Sequence, residues 1–117
     1  MATPLSLEKQ AVLLLEEGKL EEAFEAFKLA AKVYRKEGNH KGASLCFASA
    51  ASCWTKKIGE KSFYNAARMY ELAAKEALIS GDPEYASLLY KYAAINYERD
   101  GEYLNFSDCF YRSKEAH

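Results

Sequence analysis

ASLCFASAASCW, residues 43–54, consists almost entirely of small residues around two large aromatic ones, Phe47 and Trp54, which lie seven positions apart. Two explanations fit this composition. Small side chains let two helix backbones approach closely, while the aromatic rings fill the space beside them. Alternatively, Cys46 and Cys53, which are also seven positions apart, form a buried thiol site. The rest of the sequence favours the first explanation.

The stretch returns later in the chain. Residues 86–97 read ASLLYKYAAINY, so that Ala86 follows Ala43 and Tyr97 follows Trp54, each by 43 positions. A second series has the same step: Ala23, Phe27 and Ala30 return as Ala66, Tyr70 and Ala73, and the matching places near the end hold Cys109, Ser113 and Ala116. Two series with one step predict a repeat made of helix pairs. A small residue and the aromatic residue four positions later share one helix face, so the pattern predicts a packing surface.

Turn signals containing glycine divide the chain into six segments. They are Gly18-Lys19, Gly38-Asn39, Gly59, Gly81-Asp82-Pro83 and Gly101. Asp82 followed by Pro83 is typical of an N-cap and a first helical residue. The signals predict helices over residues 5–17, 20–37, 40–57, 60–80, 83–99 and 102–116.

Connections this short make neighbouring helices antiparallel. The chain is rich in Ala, Leu, Glu and Lys, and it contains only two prolines. We therefore expect an all-α fold of six helices in three antiparallel hairpins, stacked as a short α-solenoid. Repeat folds of this kind are expected to coil in the right-handed sense. A length of 117 residues predicts a single domain, residues 1–117.

The composition is that of an ordinary soluble globular protein, with 50% hydrophobic and 28% charged residues. A net charge of −1 gives no overall field toward nucleic acid or anionic membranes, so neither is an expected partner. We expect no signal peptide and no transmembrane segment, since no apolar run approaches about 18 residues. Three cysteines, an odd number, suggest free thiols in a reducing compartment, and hence a cytoplasmic protein.

No pattern in the sequence predicts catalysis. Cys46 and Cys53 are separated by two helical turns, roughly 10 Å, which is too far for a disulfide. A metal site needs further soft or imidazole ligands, and the chain offers only Cys109, His40 and His117. We therefore interpret the thiols as packing residues and expect no enzyme activity, no cofactor and no bound metal.

Basic residues are concentrated between Lys28 and Lys61. In antiparallel packing, the end of the second helix lies beside the start of the third, which gathers one group at one end of the stack. That group is Lys32, Arg35, Lys36 and Lys41, and we interpret it as a protein-binding surface. Lys56, Lys57 and Lys61 would lie at the opposite end. Complementing the helix dipole is the alternative explanation, but it does not cover Lys41 or Lys61, which lie near helix starts.

The last predicted helix is apolar on more than one face. A terminal repeat normally has a polar outer face, because nothing stacks on it. We therefore expect this helix to pack against something beyond its own hairpin, either a second copy of the chain or a continuation of it, and we favour a symmetric homodimer. The residues assigned to self-association are Tyr103, Phe106, Phe110 and Tyr111.

Several segments resemble known repeat families. EEGKLEEAFEAFKLAA (16–31) is similar to the turn and second helix of a tetratricopeptide repeat, but that family's period is about 34 residues rather than 43. The longer pairs resemble the soluble NSF attachment proteins, the SNAP adaptors of membrane fusion. This resemblance is carried by EEAFEAFKLAAKVY (21–34), GNHKGASLCFASAA (38–51) and KSFYNAARMYELAA (61–74).

The SNAP resemblance implies a non-enzymatic adaptor linked to vesicle trafficking. SNAP adaptors use basic side chains to hold an acidic helical bundle, which makes an acidic helical segment of another protein the expected partner. The chain departs from the family between its first two helices. There the family carries an apolar membrane-touching loop, whereas Gly18-Lys19 predicts a tight turn. A self-associating subunit of a larger assembly is the alternative function.

Overall fold

The computed structural model describes residues 3–56, 62–101 and 103–116, without the side chains of residues 103, 104 and 116. Six α-helices account for nearly all of this part of the chain. They are α1 (Pro4–Glu16), α2 (Leu20–Lys36), α3 (His40–Lys56), α4 (Ser62–Ile79), α5 (Pro83–Asp100) and α6 (Tyr103–Ala116). The six predicted helices are confirmed, with every end within two residues of its expected place. The predicted turn at Gly59 lies outside the described residues.

Local side-chain chemistry determines where the helices begin and end. At the start of α1, Thr3 Oγ1 accepts from the Ser6 backbone N–H at 3.1 Å and Ser6 Oγ accepts from the Thr3 N–H at 3.0 Å, a capping box. Asp82 caps α5 by accepting from the Tyr85 N–H at 3.1 Å, as its position before Pro83 predicts. Gly81, between α4 and α5, has a φ of 83°, which glycine adopts without steric strain.

Each helix packs antiparallel against the next one in the sequence, from α1 through α6. The hairpins are joined by packing of α2 on α3 and of α4 on α5. One side-chain contact also spans two helices, since the Cys46 thiol of α3 donates to a Glu8 carboxylate oxygen of α1 at 3.3 Å. The described chain measures 40 × 34 × 17 Å, consistent with a slab two helix layers thick. The expected all-α stack of helical hairpins is confirmed, while the right-handed sense of its coiling stays a prediction.

Alanine occupies most of the contacts between helices. Ala43, Ala50 and Ala51 have no exposed surface, and Phe47 beside them is equally inaccessible. Their counterparts 43 positions later are as well buried, with Ala86 and Ala93 at 0% exposure and Tyr90 at 1%. The methyl side chains of the alanines allow two helix backbones to approach closely, and the Phe47 ring fills the adjacent space. Residues 43–54 therefore form a packing surface. The first explanation of residues 43–54 is therefore confirmed.

Two buried serines 43 positions apart each donate to a carbonyl oxygen of the second helix of their hairpin. Ser44 Oγ donates to the carbonyl oxygen of Ala73 in α4 at 2.8 Å. Its counterpart Ser87 donates to the carbonyl oxygen of Ser113 in α6 at 2.7 Å. Both hydroxyls are thus satisfied inside the helix contact, where an unsatisfied one would cost about 1–3 kcal/mol. In the second and third hairpins these bonds tie the first helix to the second.

Replacing Ala50 or Ala93 by leucine is expected to destabilise the fold by about 1–3 kcal/mol, because the larger side chain overpacks a closed helix contact. Urea unfolding followed by circular dichroism measures the change. Ser107→Leu, on an exposed position of α6, is the matched control and should stay within about 0.5 kcal/mol. Equal stability of Ala50→Leu and the control would show that the 43-residue register is wrong.

Candidate protein-binding surfaces

All three cysteines are buried and free. Cys46 is 3% exposed and Cys53 and Cys109 are each 1% exposed, which confirms their interpretation as packing residues. Burial raises the pKa of all three thiols, and for Cys109 to about 12. The carboxylate of Glu8, which accepts from the Cys46 thiol, adds to the upward shift of that pKa. Among the described residues, no group of three or more His, Cys, Asp and Glu side chains is arranged to hold a metal ion.

The raised thiol pKa values predict how stability changes with pH. Above the ordinary value of 9.0, an unfolded chain releases thiol protons that the folded chain retains. The thiol contribution to the free energy of unfolding should therefore fall as pH rises through 9 toward 12. Urea unfolding between pH 8 and 9, where unfolded tyrosines with an ordinary pKa of 10.0 are still mostly protonated, measures the start of this fall. A Cys46→Ala, Cys53→Ala, Cys109→Ala variant should be less stable but should show a smaller slope, and an unchanged slope would assign the effect to other groups.

The four residues of the predicted basic surface lie at one end of the stack, as expected. Lys32, Arg35 and Lys36 belong to the last turns of α2, and Lys41 belongs to the first turn of α3. All four side chains reach solvent. At the opposite end Lys56 is also exposed, whereas Lys57 and Lys61 lie outside the described residues.

Arg35 differs from the three lysines because it takes part in an interaction with the interior. Its Nη1 lies 3.8 Å from Oε1 of Glu76 in α4, a carboxylate that is only 4% exposed. Oε2 of Glu76 lies 2.6 Å from Nδ1 of His40, close enough for the ring N–H to donate to it. The Arg35 guanidinium also lies over the Phe47 ring, 5.6 Å from its centroid. Arg35 therefore helps to hold α2, α3 and α4 together.

The cluster of Arg35, His40 and Glu76 was not anticipated from the sequence, where His40 was considered only as a possible metal ligand. A signal was present, because Glu76 occupies the place that Val33 holds 43 positions earlier, next to residues that pack in the core. A carboxylate at an apolar repeat position needs cationic or hydrogen-bonding partners, since an unpaired buried charge is strongly destabilising.

The three lysines of the predicted basic surface that do not contact Glu76 are Lys32, Lys36 and Lys41. We name these three residues the basic end.

Reversing charge at the two neighbouring positions Arg35 and Lys36 should have different effects on stability. Arg35→Glu places a second carboxylate beside Glu76 and should destabilise by about 1–3 kcal/mol, less than a fully buried pair would, because Arg35 is 44% exposed. Lys36→Glu, on the exposed side of the same turn, should change stability by at most about 0.5 kcal/mol. Thermal and urea unfolding of the two variants make the comparison. Equal effects would mean that the Arg35–Glu76 pair contributes nothing to the fold.

The predicted self-association residues of α6 are only partly exposed. Phe106 packs against the core, while Phe110 is 41% and Tyr111 64% exposed. The Phe106 and Phe110 rings lie 5.8 Å apart, and Lys114 Nζ lies 4.6 Å from the centroid of the Phe110 ring. The side chain of Tyr103 is outside the described residues. The exposed part of this surface therefore consists of Phe110, Tyr111 and the stem of Lys114.

An open groove of about 710 Å³ runs between α1 and α2 and was not anticipated from the sequence. Its apolar lining includes Leu7, Leu14 and Ala26. Charge is divided along its α2 side: Glu21, Glu22 and Glu25 lie toward the start of the helix, and Lys28 and Lys32 lie toward its end. One residue of the basic end thus borders an apolar surface. A second cleft, of about 500 Å³, lies beside Lys41 and is lined by Leu45 and Tyr85.

Antiparallel helical hairpins stacked with a 43-residue step place the chain in the class of α-helical repeat proteins. The profile of the soluble NSF attachment protein (SNAP) family matches residues 8–115 of the chain. The chain therefore belongs to the SNAP family, and the resemblance noted in the sequence is confirmed. Comparison with curated proteins and with solved structures gave no match. In the part of the chain that the structure describes, no helix combines the length and apolar character needed to cross a membrane.

Proposed function

We propose that this SNAP-family chain is a non-enzymatic adaptor in vesicle trafficking, and that its basic end holds an acidic helical segment of a partner protein. The observation that carries the proposal is the exposure of Lys32, Lys36 and Lys41 at one end of a stack whose fourth cation, Arg35, is fixed by the buried Glu76. Three flexible cations beside a rigid one form a surface that a row of carboxylates can neutralise.

The helix dipole explains part of this charge but not all of it. Lys32 and Lys36 lie in the last turns of α2, where the partial negative charge of the helix end favours cations. Lys41 lies in the first turn of α3, where the same effect is unfavourable. Because the helix dipole does not account for Lys41, its position supports a role in binding a partner. The cleft beside Lys41 and the groove beside Lys32 provide apolar surface for the uncharged face of an amphipathic partner.

The side chains most suited to catalysis are engaged in the fold. Burial keeps the three thiols protonated at neutral pH, so they are poor nucleophiles. His40 is hydrogen-bonded to the buried carboxylate of Glu76. These arrangements support a binding role rather than an enzymatic one. A cytoplasmic location is part of the proposal, because three free buried thiols suit a reducing compartment.

The test is binding of a synthetic amphipathic helix that carries glutamates along one face, measured by fluorescence anisotropy over a range of salt concentrations. Lys36→Glu with Lys41→Glu should weaken binding by about tenfold or more and flatten its salt dependence, since screened charge pairs supply the attraction. The matched control is Lys9→Glu with Lys91→Glu, two exposed lysines on α1 and α5 that change net charge equally.

Both double variants should unfold like the parent chain, because the four side chains are exposed. Equal weakening of binding by both double variants would attribute the attraction to net charge alone and would contradict a specific site at the basic end. Binding that ignores both salt and the Lys36/Lys41 reversal would contradict the proposal outright. Arg35 is left unchanged throughout, so that the ion pair with Glu76 is preserved.

Self-association as a homodimer through α6 is the second candidate. The observation that favours it is the exposure of the two adjacent aromatic residues Phe110 and Tyr111 on α6. Tyr111 is the most exposed large apolar residue among those described, at 64%. A two-fold arrangement would bring the same aromatic pair together from both copies.

A further inference from the structure

The outward surface of α2 carries one stripe of exposed side chains that changes character along the helix. Glu22, Glu25, Leu29, Lys32 and Lys36 follow one another at steps of three or four positions, and all five are exposed. Residues at such steps lie on one face of a helix. The stripe begins with two carboxylates, has an apolar centre at Leu29, which is 50% exposed, and ends with two ammonium groups. We name these five residues the α2 stripe.

This face lies on the outer surface of the stack and not at one of its ends. On α4, the corresponding places 43 positions later include Arg68, Lys75 and Ile79. These three side chains are also exposed, even though the first hairpin is stacked in front of them. A further hairpin placed before α1 in the same register would therefore leave the α2 stripe accessible, as the first hairpin leaves the same face of α4 accessible.

The helix dipole accounts for only part of the charge order. It favours acids in the first turn of a helix and bases in the last, and its influence falls off within those turns. Glu22 and Lys36 lie in these turns, whereas Glu25 and Lys32 lie nearer the middle of the helix. The repeat does not require the order either, because the same face of α4 carries a base at both of the inner places. The order of charges is therefore a property of α2 itself.

An antiparallel copy of α2 is complementary to this stripe. Glu22 and Lys36 each lie seven positions from Leu29, which is about 10 Å along the helix in opposite directions. A two-fold axis through Leu29 therefore places Glu22 of one copy opposite Lys36 of the other, and the reverse. Glu25 and Lys32 come within one residue of the same relation. Two-fold contacts of this kind pair each residue twice, so the attraction is doubled.

We propose that the α2 stripe binds the α2 stripe of a second copy of the chain, in an antiparallel two-fold dimer. Leu29 of one copy packs on Leu29 of the other at the axis. Ala26, which is partly buried beside it, and the aliphatic stems of the lysines complete the apolar centre. The occupant is a second copy because the groups on α2 are themselves the groups that complement α2. This interface is different from the α6 dimer considered above.

The charges of the stripe are available for such pairing. Within the described chain, Glu22, Lys32 and Lys36 form no ion pair, whereas Glu25 lies 3.5 Å from Lys28 of its own helix. A contact between two 17-residue helices, each about 25 Å long, is at the small end of specific interfaces. The dimer is therefore weak, and it weakens further with salt because exposed ion pairs are screened.

Two residues of the stripe, Lys32 and Lys36, also belong to the basic end. The dimer and an acidic partner therefore compete for them, since the acidic start of α2 in the second copy takes the place of the partner's carboxylates. The dimer itself requires no partner protein. The inference thus stands whether or not the basic end binds one.

Sedimentation velocity of the whole chain, over a range of protein concentrations at low and at high salt, measures the dimer. Glu22→Lys and Lys36→Glu should each weaken it by about tenfold or more, because each places like charges opposite one another on both sides of the axis. Combining the two changes in one chain exchanges the charges and restores opposite signs across the axis. This double variant should dimerise like the parent chain, and its net charge is unchanged.

Lys91→Glu is the matched control for Lys36→Glu, because it makes the same charge change at an exposed position of α5. It should leave the dimer nearly unchanged. Leu29→Glu brings two carboxylates together at the axis and should abolish dimerisation. All of these positions are exposed, and circular dichroism checks that every variant keeps its helices.

Three results would overturn the proposal. A parent chain that stays monomeric at every protein concentration in low salt would exclude the dimer. A dimer that survives Leu29→Glu but is lost in Phe110→Ala would place the interface on α6. A folded double variant that dimerises no better than the two single variants would show that charge pairs across the axis do not hold the copies together. No acidic partner is present in these measurements, so they are independent of the test of the basic end.

Discussion

The close approach of neighbouring helices at buried alanines is the constraint on which the rest of the structure depends. Ala43, Ala50 and Ala93 have no accessible surface, and a larger side chain at any of them would push two helices apart. This spacing lets Ser44 and Ser87 reach carbonyl oxygens of the neighbouring helix at 2.8 and 2.7 Å. It also limits where side chains can contact a partner. Because the space between the helices is filled, the accessible surfaces are the outer helix faces and the ends of the stack.

The architecture was accessible from the sequence because its signals are local and repeated. Glycine turns marked the helix ends, and the 43-residue step identified the buried faces from Ala43 and Ala86 onward. The Arg35–Glu76–His40 cluster was missed because it joins residues 36 and 41 positions apart, which periodicity on one helix does not relate. For the same reason, the sequence grouped Arg35 with Lys36, although only the structure shows which of the two carries a buried partner. The basic surface and the aromatic surface of α6 were predicted as regions, but which of their residues are anchored in the fold and which are exposed could be read only from side-chain positions.

Structural and recognition roles are separated within single helical turns. Arg35 is held by Glu76, while Lys36 next to it points to solvent. On α6, Cys109 is buried in the core, while Phe110 is exposed beside it. Because adjacent residues on a helix point in directions about 100° apart, a stable repeat can keep its packing face constant and vary the neighbouring face. A SNAP-family fold can therefore carry different binding surfaces on one scaffold.

Packing of each helix mainly against its sequence neighbours has a kinetic consequence. Most contacts join residues that are near in the chain, so little loop entropy must be lost before they form, and such topologies fold quickly. In the part of the chain that the structure describes, α1 and α6 each pack mainly against one neighbouring helix, so less packing opposes their local opening than that of α3 and α4. Within this part of the chain, α1 and α6 are therefore the helices that open most readily. A helix that packs on either of them would cover it and slow its opening.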